Sequence, residues 1–152
     1  MQIDFKVSGT LQRNLERAAR KAGDLTYISK KMGDFMVKST TKTFEKQGAR
    51  GNAIFGSGEK WTGLKESTKR WRKKIGHPDS PILQVTGNLK GSITRESHKD
   101  KVVWGASEVA PYGKYHQFGT KYMTKRPFLK FLREDHAELV KVTREYIQRL
   151  FK

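Results

Sequence analysis

The sequence predicts an α+β protein with an N-terminal strand, a helical hairpin, a small antiparallel β-sheet and a long C-terminal helix. Three observations lead there. Alternating apolar patterns are short and confined to residues 2–7 and about 94–104, whereas helical periods dominate 10–47 and 131–151. Strands and helices never alternate in strand-helix-strand units, which argues against a parallel sheet. A length of 152 residues suits a single domain over 1–152, which would bury roughly 68–70% of its unfolded surface.

Ile3, Phe5 and Val7 alternate with Gln2, Asp4 and Lys6, the pattern of a half-buried strand. Thr10 is placed to cap a helix whose Leu11, Leu15, Ala18, Ala19 and Ala22 share one stripe, with Gly23 positioned to end it. Asp24 can cap a second helix carrying Leu25, Ile28, Met32, Phe35 and Met36 on one face, so 10–47 reads as a hairpin of helices. The stripe weakens beyond Met36. Val37 and Phe44 fall on the other side and Ser39-Thr40-Thr41 is a poor helix interior, so this helix either buries two faces or bends near Gly33.

Residues 48–60 hold Gly48, Gly51, Gly56 and Gly58 among polar neighbours, without a period, and are expected to form a flexible loop. No Gly-Lys-Ser/Thr follows those glycines, so they do not make a phosphate-binding loop. Leu64 to Lys74 forms a short basic helix, with Leu64, Thr68 and Trp71 on the stripe expected to face the core. Thr86 to Ile93 reads as a turn of helix running into a strand through Thr94–Ser97, and Val102-Val103-Trp104 returns after a turn at 98–101. Pro111 suits the start of a helix from Tyr112 to Phe118, which Gly119 would stop. Arg126-Pro127 enforces an extended approach to the last helix. There Leu132, Leu139, Val140, Thr143, Tyr146, Ile147 and Leu150 form one stripe.

Charge narrows the partners. Lys and Arg number 32 against 15 Asp and Glu, a net charge of +17 that creates a long-range positive field. The run Lys69-Arg70-Trp71-Arg72-Lys73-Lys74 concentrates it, so Lys69, Arg70, Arg72, Lys73 and Lys74 are candidates for contact with nucleic acid or an acidic protein surface. With no cysteine, disulfides, thiolate metal sites and a cysteine nucleophile are excluded. No apolar run is long enough to span a membrane, and the N-terminus lacks the layout of a signal peptide, so no membrane partner is expected and the chain reads as a soluble protein made and kept inside a cell.

Catalytic chemistry finds no constellation. His77, His98, His116 and His136 share no metal-ligand spacing, and His136 falls on the apolar face of the last helix as a packing or partner-facing residue. Glu134, Asp135 and Glu138 stand at that helix's entry, where they complement its dipole. No nucleophile elbow is present. No catalytic, metal-ligating or cofactor-binding residue is therefore assigned, and no cofactor is expected.

An ordered set of punctuating residues runs from 61 to 129. It comprises Trp61-x-x-Leu64-x-x-x-Thr68, Ile82-Leu83-x-x-Thr86-Gly87-x-Leu89-x-x-Ser92-Ile93, Gly105, Tyr112-x-x-x-His116-Gln117-Phe118-Gly119 and Arg126-Pro127-Phe128-Leu129. This set resembles the virion-morphogenesis (tail-completion, neck) proteins of tailed bacteriophages. Gly113 departs from the alanine expected after Tyr112, and 48–60 matches no part of the pattern. The resemblance implies a non-enzymatic virion protein that forms a homo-oligomeric ring, a hexamer being one stoichiometry, at the head-proximal end of the tail or in the neck. Its implied neighbours are neck, connector or tail-terminator proteins, with non-specific contact to packaged DNA. On this reading Tyr112, His116, Gln117, Phe118, Gly119, Arg126, Pro127, Phe128 and Leu129 are interface candidates, with Pro127 aiming Phe128 and Leu129 at an apolar surface that is either their own core or a partner's. The competing reading, carried by charge alone, is a sequence-independent DNA-binding module, although no zinc finger, ribonucleoprotein motif or helix-turn-helix supports it.

Overall fold

A computed structural model describes residues 2–4 by their backbone, residues 9, 12, 13, 16, 17, 20 and 23, and residues 25–150. Thr10, the apolar stripe from Leu11 to Ala22, Asp24, and the continuation of the first strand through Phe5 and Val7 lie outside the described residues. Gly23 has φ +68°, the left-handed conformation expected of a helix terminator.

The mixed α+β architecture is borne out. In chain order the described elements are β1 (Gln2–Asp4), α1 (Thr26–Glu45), β2 (Ala53–Phe55), α2 (Glu66–Lys74), α3 (Asn88–Gly91), β3 (Ile93–Ser97), β4 (Val102–Ala106), α4 (Gly113–Phe118), β5 (Phe131–Leu132) and α5 (Arg133–Leu150). One antiparallel sheet has the order β1-β4-β3, with Trp104 opposite Ile3 on one side and Arg95 on the other. The turn expected between β3 and β4 closes through the amide of His98 donating to the carbonyl of Lys101 at 2.8 Å.

Helix α1 is continuous and buries more than one face: Ile28, Met32, Met36 and Phe44 are joined in the interior by Ser29, Ser39, Thr40 and Thr43. The hydroxyls of Thr40, Thr41 and Thr43 donate to the carbonyls of Met36, Val37 and Ser39, which explains how poor helix formers sit inside a helix. Gly33 serves packing rather than bending. A Cβ there would lie 2.4 Å from Arg95 Cδ and 2.9 Å from Val102 Cγ2, so the glycine lets α1 settle onto the β3–β4 hairpin. Helix α5 packs on α1, closing the core from the other side.

Residues 48–60 are more tethered than their composition suggests. β2 pairs antiparallel with β5, Ala53 standing opposite Leu132. The amides of Arg50 and Gly51 donate to the carbonyl of Gly58, and Lys130 Nζ donates to the carbonyl of Gly48 at 2.6 Å. Three residues are too few for a periodic signal, and the strand's partner is supplied from almost 80 residues away, a relation no local pattern contains.

Candidate functional site

The residues from 112 to 129 divide between the interior and the surface. Phe128 is 0% exposed and packs against Phe44 with ring centroids 5.5 Å apart; Phe44 in turn meets Trp61 edge-on at 5.6 Å. Leu129 is equally buried. The expectation that Phe128 and Leu129 face a partner is thus corrected: Pro127 aims them into their own core. Gln117 secures them there. Its Oε1 accepts from the amides of Phe128 and Leu129, both at 3.0 Å, and its Nε2 donates to the carbonyl of Leu129 at 2.9 Å. The carbonyl of the half-buried Pro127 accepts from Trp61 Nε1 at 2.9 Å.

Arg126 is also buried, its Nε and Nη2 donating to the carbonyls of Thr62 and Gly63 at 3.0 and 2.9 Å. Gly119 ends α4 with φ +78° and ψ 177°, a conformation open essentially to glycine alone. Phe118 turns outward and is 64% exposed, so among the expected interface residues it is the large apolar one that reaches solvent, beside a half-exposed Tyr112.

The short basic helix is oriented differently from its expected packing. Trp71 is 54% exposed, whereas Arg72 is 4% exposed and the buried residue of α2. Arg72 Nη1 donates to the carbonyl of Ser80, which turns the guanidinium inward and carries the indole toward solvent. Lys69, Arg70, Lys73 and Lys74 remain exposed, as expected. The stripe Lys65, Thr68, Arg72 has helical spacing as good as Leu64, Thr68, Trp71; only a preference for apolar residues favoured the second.

These elements enclose a groove of about 660 Å³. Its walls are Leu64 and Lys65 with the Thr68–Arg72 side of α2, the 82–89 segment, and Tyr112, His116, Tyr122 and Met123. The motif residues Leu64, Thr68, Ile82, Leu83, Thr86, Leu89, Tyr112, His116 and Arg126, spread over more than 60 positions, all line it. Leu83 has φ +63°, a strained conformation for a branched side chain, at the groove wall. Sequence reasoning missed Leu83's backbone, Tyr122 and Met123, since none of the three carries a local signal.

The groove is electrically one-sided. Among the described residues no Asp or Glu lines it, whereas Lys65, Arg72 and Arg126 do. Burial, and then the nearby Arg126, lowers the pKa of Arg72; the same two causes in the same order hold the His116 imidazole below its ordinary value. Burial likewise lowers that of Arg126. Arg72 Nε and His116 Nδ1 are buried without a hydrogen-bond partner. Among the described residues no group of three His, Asp or Glu could hold a metal ion, and no helix is long and apolar enough to cross a membrane. Of the other histidines, His136 is exposed and touches Phe131 edge-on, and His77 and His98 are exposed.

Comparison with known proteins places this geometry in context. The sequence pattern of the phage virion morphogenesis family matches residues 7–148, so the likeness begins well before Trp61. The Mu-like prophage FluMu G protein 1 of Haemophilus influenzae is 31% identical over 142 residues, covering 91% of this chain and 90% of that protein. The Mu-like prophage FluMu G protein 2 of the same organism is 33% identical over 89 residues, 54% of this chain and 62% of that protein. No solved structure gives a significant match.

Proposed function

Because the chain belongs to the phage virion morphogenesis family and so has a part in building the virion, we propose that it acts structurally, as a ring at the head-proximal end of the tail or in the neck, where it completes the tail or joins it to the head. One observation carries the reading: residues far apart in sequence converge on a fixed groove whose lining includes the exposed aromatic side chains of Trp71, Tyr112 and Tyr122. Phe118 and Tyr122 are 64% and 80% exposed, the amphipathic contact area from which protein interfaces are built. A head-to-tail contact through such a patch closes into a ring when its rotation divides a full turn.

Deleting the gene from the phage that carries it tests the proposal. Full heads and tails that accumulate unjoined are the expected products. Normal yields of joined, infectious particles without the protein would contradict it.

A further inference from the structure

The groove has an occupant's chemistry written into it. Two of its cations, Arg72 and Arg126, are buried side chains rather than groups on an open face, and no acid among its described lining residues answers them. Among the described residues neither Arg72 nor Arg126 forms an ion pair, and both spend hydrogen bonds on carbonyl oxygens, which leave a guanidinium's charge uncompensated. Arg72, one of the lining residues, has a side chain more than nine-tenths buried, and its Nε has no hydrogen-bond partner among the described residues. A carboxylate is the group that satisfies such a donor and such a charge together.

We infer that this groove receives an acidic segment of a neighbouring protein, which seats a large apolar side chain between the walls and sets a carboxylate against Arg72 and Arg126. Leu64, Ile82, Leu83 and Met123 offer the apolar contact, and Lys65 stands at the rim for a second acidic residue. Charge decides between occupants. A second copy would bring 32 cationic side chains against 15 acidic ones toward an already positive groove. A nucleic-acid backbone would be met by cations in the open, and Lys69, Arg70, Lys73 and Lys74 are there, outside the groove's lining. A phosphate chain also has nothing to bury between Leu83 and Met123. The inference rests on the proposed function only for the partner being a virion protein; the recognition chemistry belongs to the groove itself.

The test is selection of a random library of peptides of about 12 residues on the full-length protein, a length that spans a groove of this kind. Selected peptides are expected to combine acidic residues with a Leu or aromatic anchor. Their affinity should fall by about tenfold or more on Arg72→Gln, the loss of a charged hydrogen bond, and recover in part with Arg72→Lys. Met123→Glu, at a half-buried loop position, should repel them while leaving the melting temperature unchanged, and it decides the matter should Arg72→Gln unfold. Selection of neutral or basic peptides, or binding indifferent to Met123→Glu, would overturn the inference. So would displacement of the peptides by duplex DNA of about 20 base pairs in a manner lost with Arg72→Gln. Since the assay needs no particle, its outcome is independent of whether deleting the gene leaves heads and tails unjoined.

Discussion

Phe118 and Phe128 sit ten positions apart and have opposite surroundings, one largely in solvent and one enclosed by Phe44 and the Gln117-braced backbone. Phe128→Ala should therefore cost about 3–5 kcal/mol of stability through loss of transfer energy and a cavity, whereas Phe118→Ala should leave the melting temperature nearly unchanged. Thermal unfolding of the two variants side by side checks this. The sequence marked both aromatics as special, yet it could not say which one faced inward. That depends on Gln117 bonding the backbone eleven and twelve residues later, a relation set by the chain's path. A second residue-scale expectation concerns Lys130, buried, donating to the carbonyl of Gly48, and lowered by burial and then by Arg50 to a pKa of about 8. Its ordinary value is 10.5, so between the two the unfolded chain holds the proton that the folded one has released. Stability then rises with pH across that window. Urea denaturation at pH 7 and pH 9.5 should show the wild type gaining on Lys130→Met as pH rises, and a constant difference would refute the assignment.

At the scale of elements, the long periodic ones were legible and the short ones were not. The α1 stripe, the β3–β4 hairpin and α5 follow from apolar spacing alone, and Gly119 from its place after a helical run. β2 and β5 are two or three residues each and make sense only as a pair. The orientation of α2 was misread because Arg72 is held by the carbonyl of Ser80, a partner in an irregular segment. Two predictions belong here. Gly119→Ala should destabilise by about 1–3 kcal/mol, because φ is +78° and a Cβ would lie 3.0 Å from both Lys125 N and Met123 O; chemical denaturation measures it. If α2 touches DNA, its exposed Lys69, Arg70, Lys73 and Lys74 do so, and replacing them with Gln should flatten the logarithmic salt dependence of binding by up to about 3–4 units. Titration of a labelled duplex across a salt series reads that slope, and an unchanged slope removes α2 from any DNA contact.

The whole molecule carries a net charge of +17, which opposes self-association until salt or an acidic acceptor screens it. Light scattering should accordingly show larger species as ionic strength rises, with dissociation on adding salt as the contrary result. Residues that line the candidate groove stood out in the sequence as members of an ordered set of motifs, but nothing in the set marked them as neighbours in space. Nor was the absence of acids from the groove legible there, which only the folded neighbours of Arg72 and Arg126 reveal. The most direct measurement of the central claim is a density map of the assembled particle, into which this fold is placed. A closed ring of copies at the junction of head and tail is expected, with the Phe118 surface at the contact between subunits and the Arg72 groove occupied by a neighbouring protein. Copies found in the capsid shell or at the distal tip of the tail, or a finished particle that lacks the protein, would contradict it.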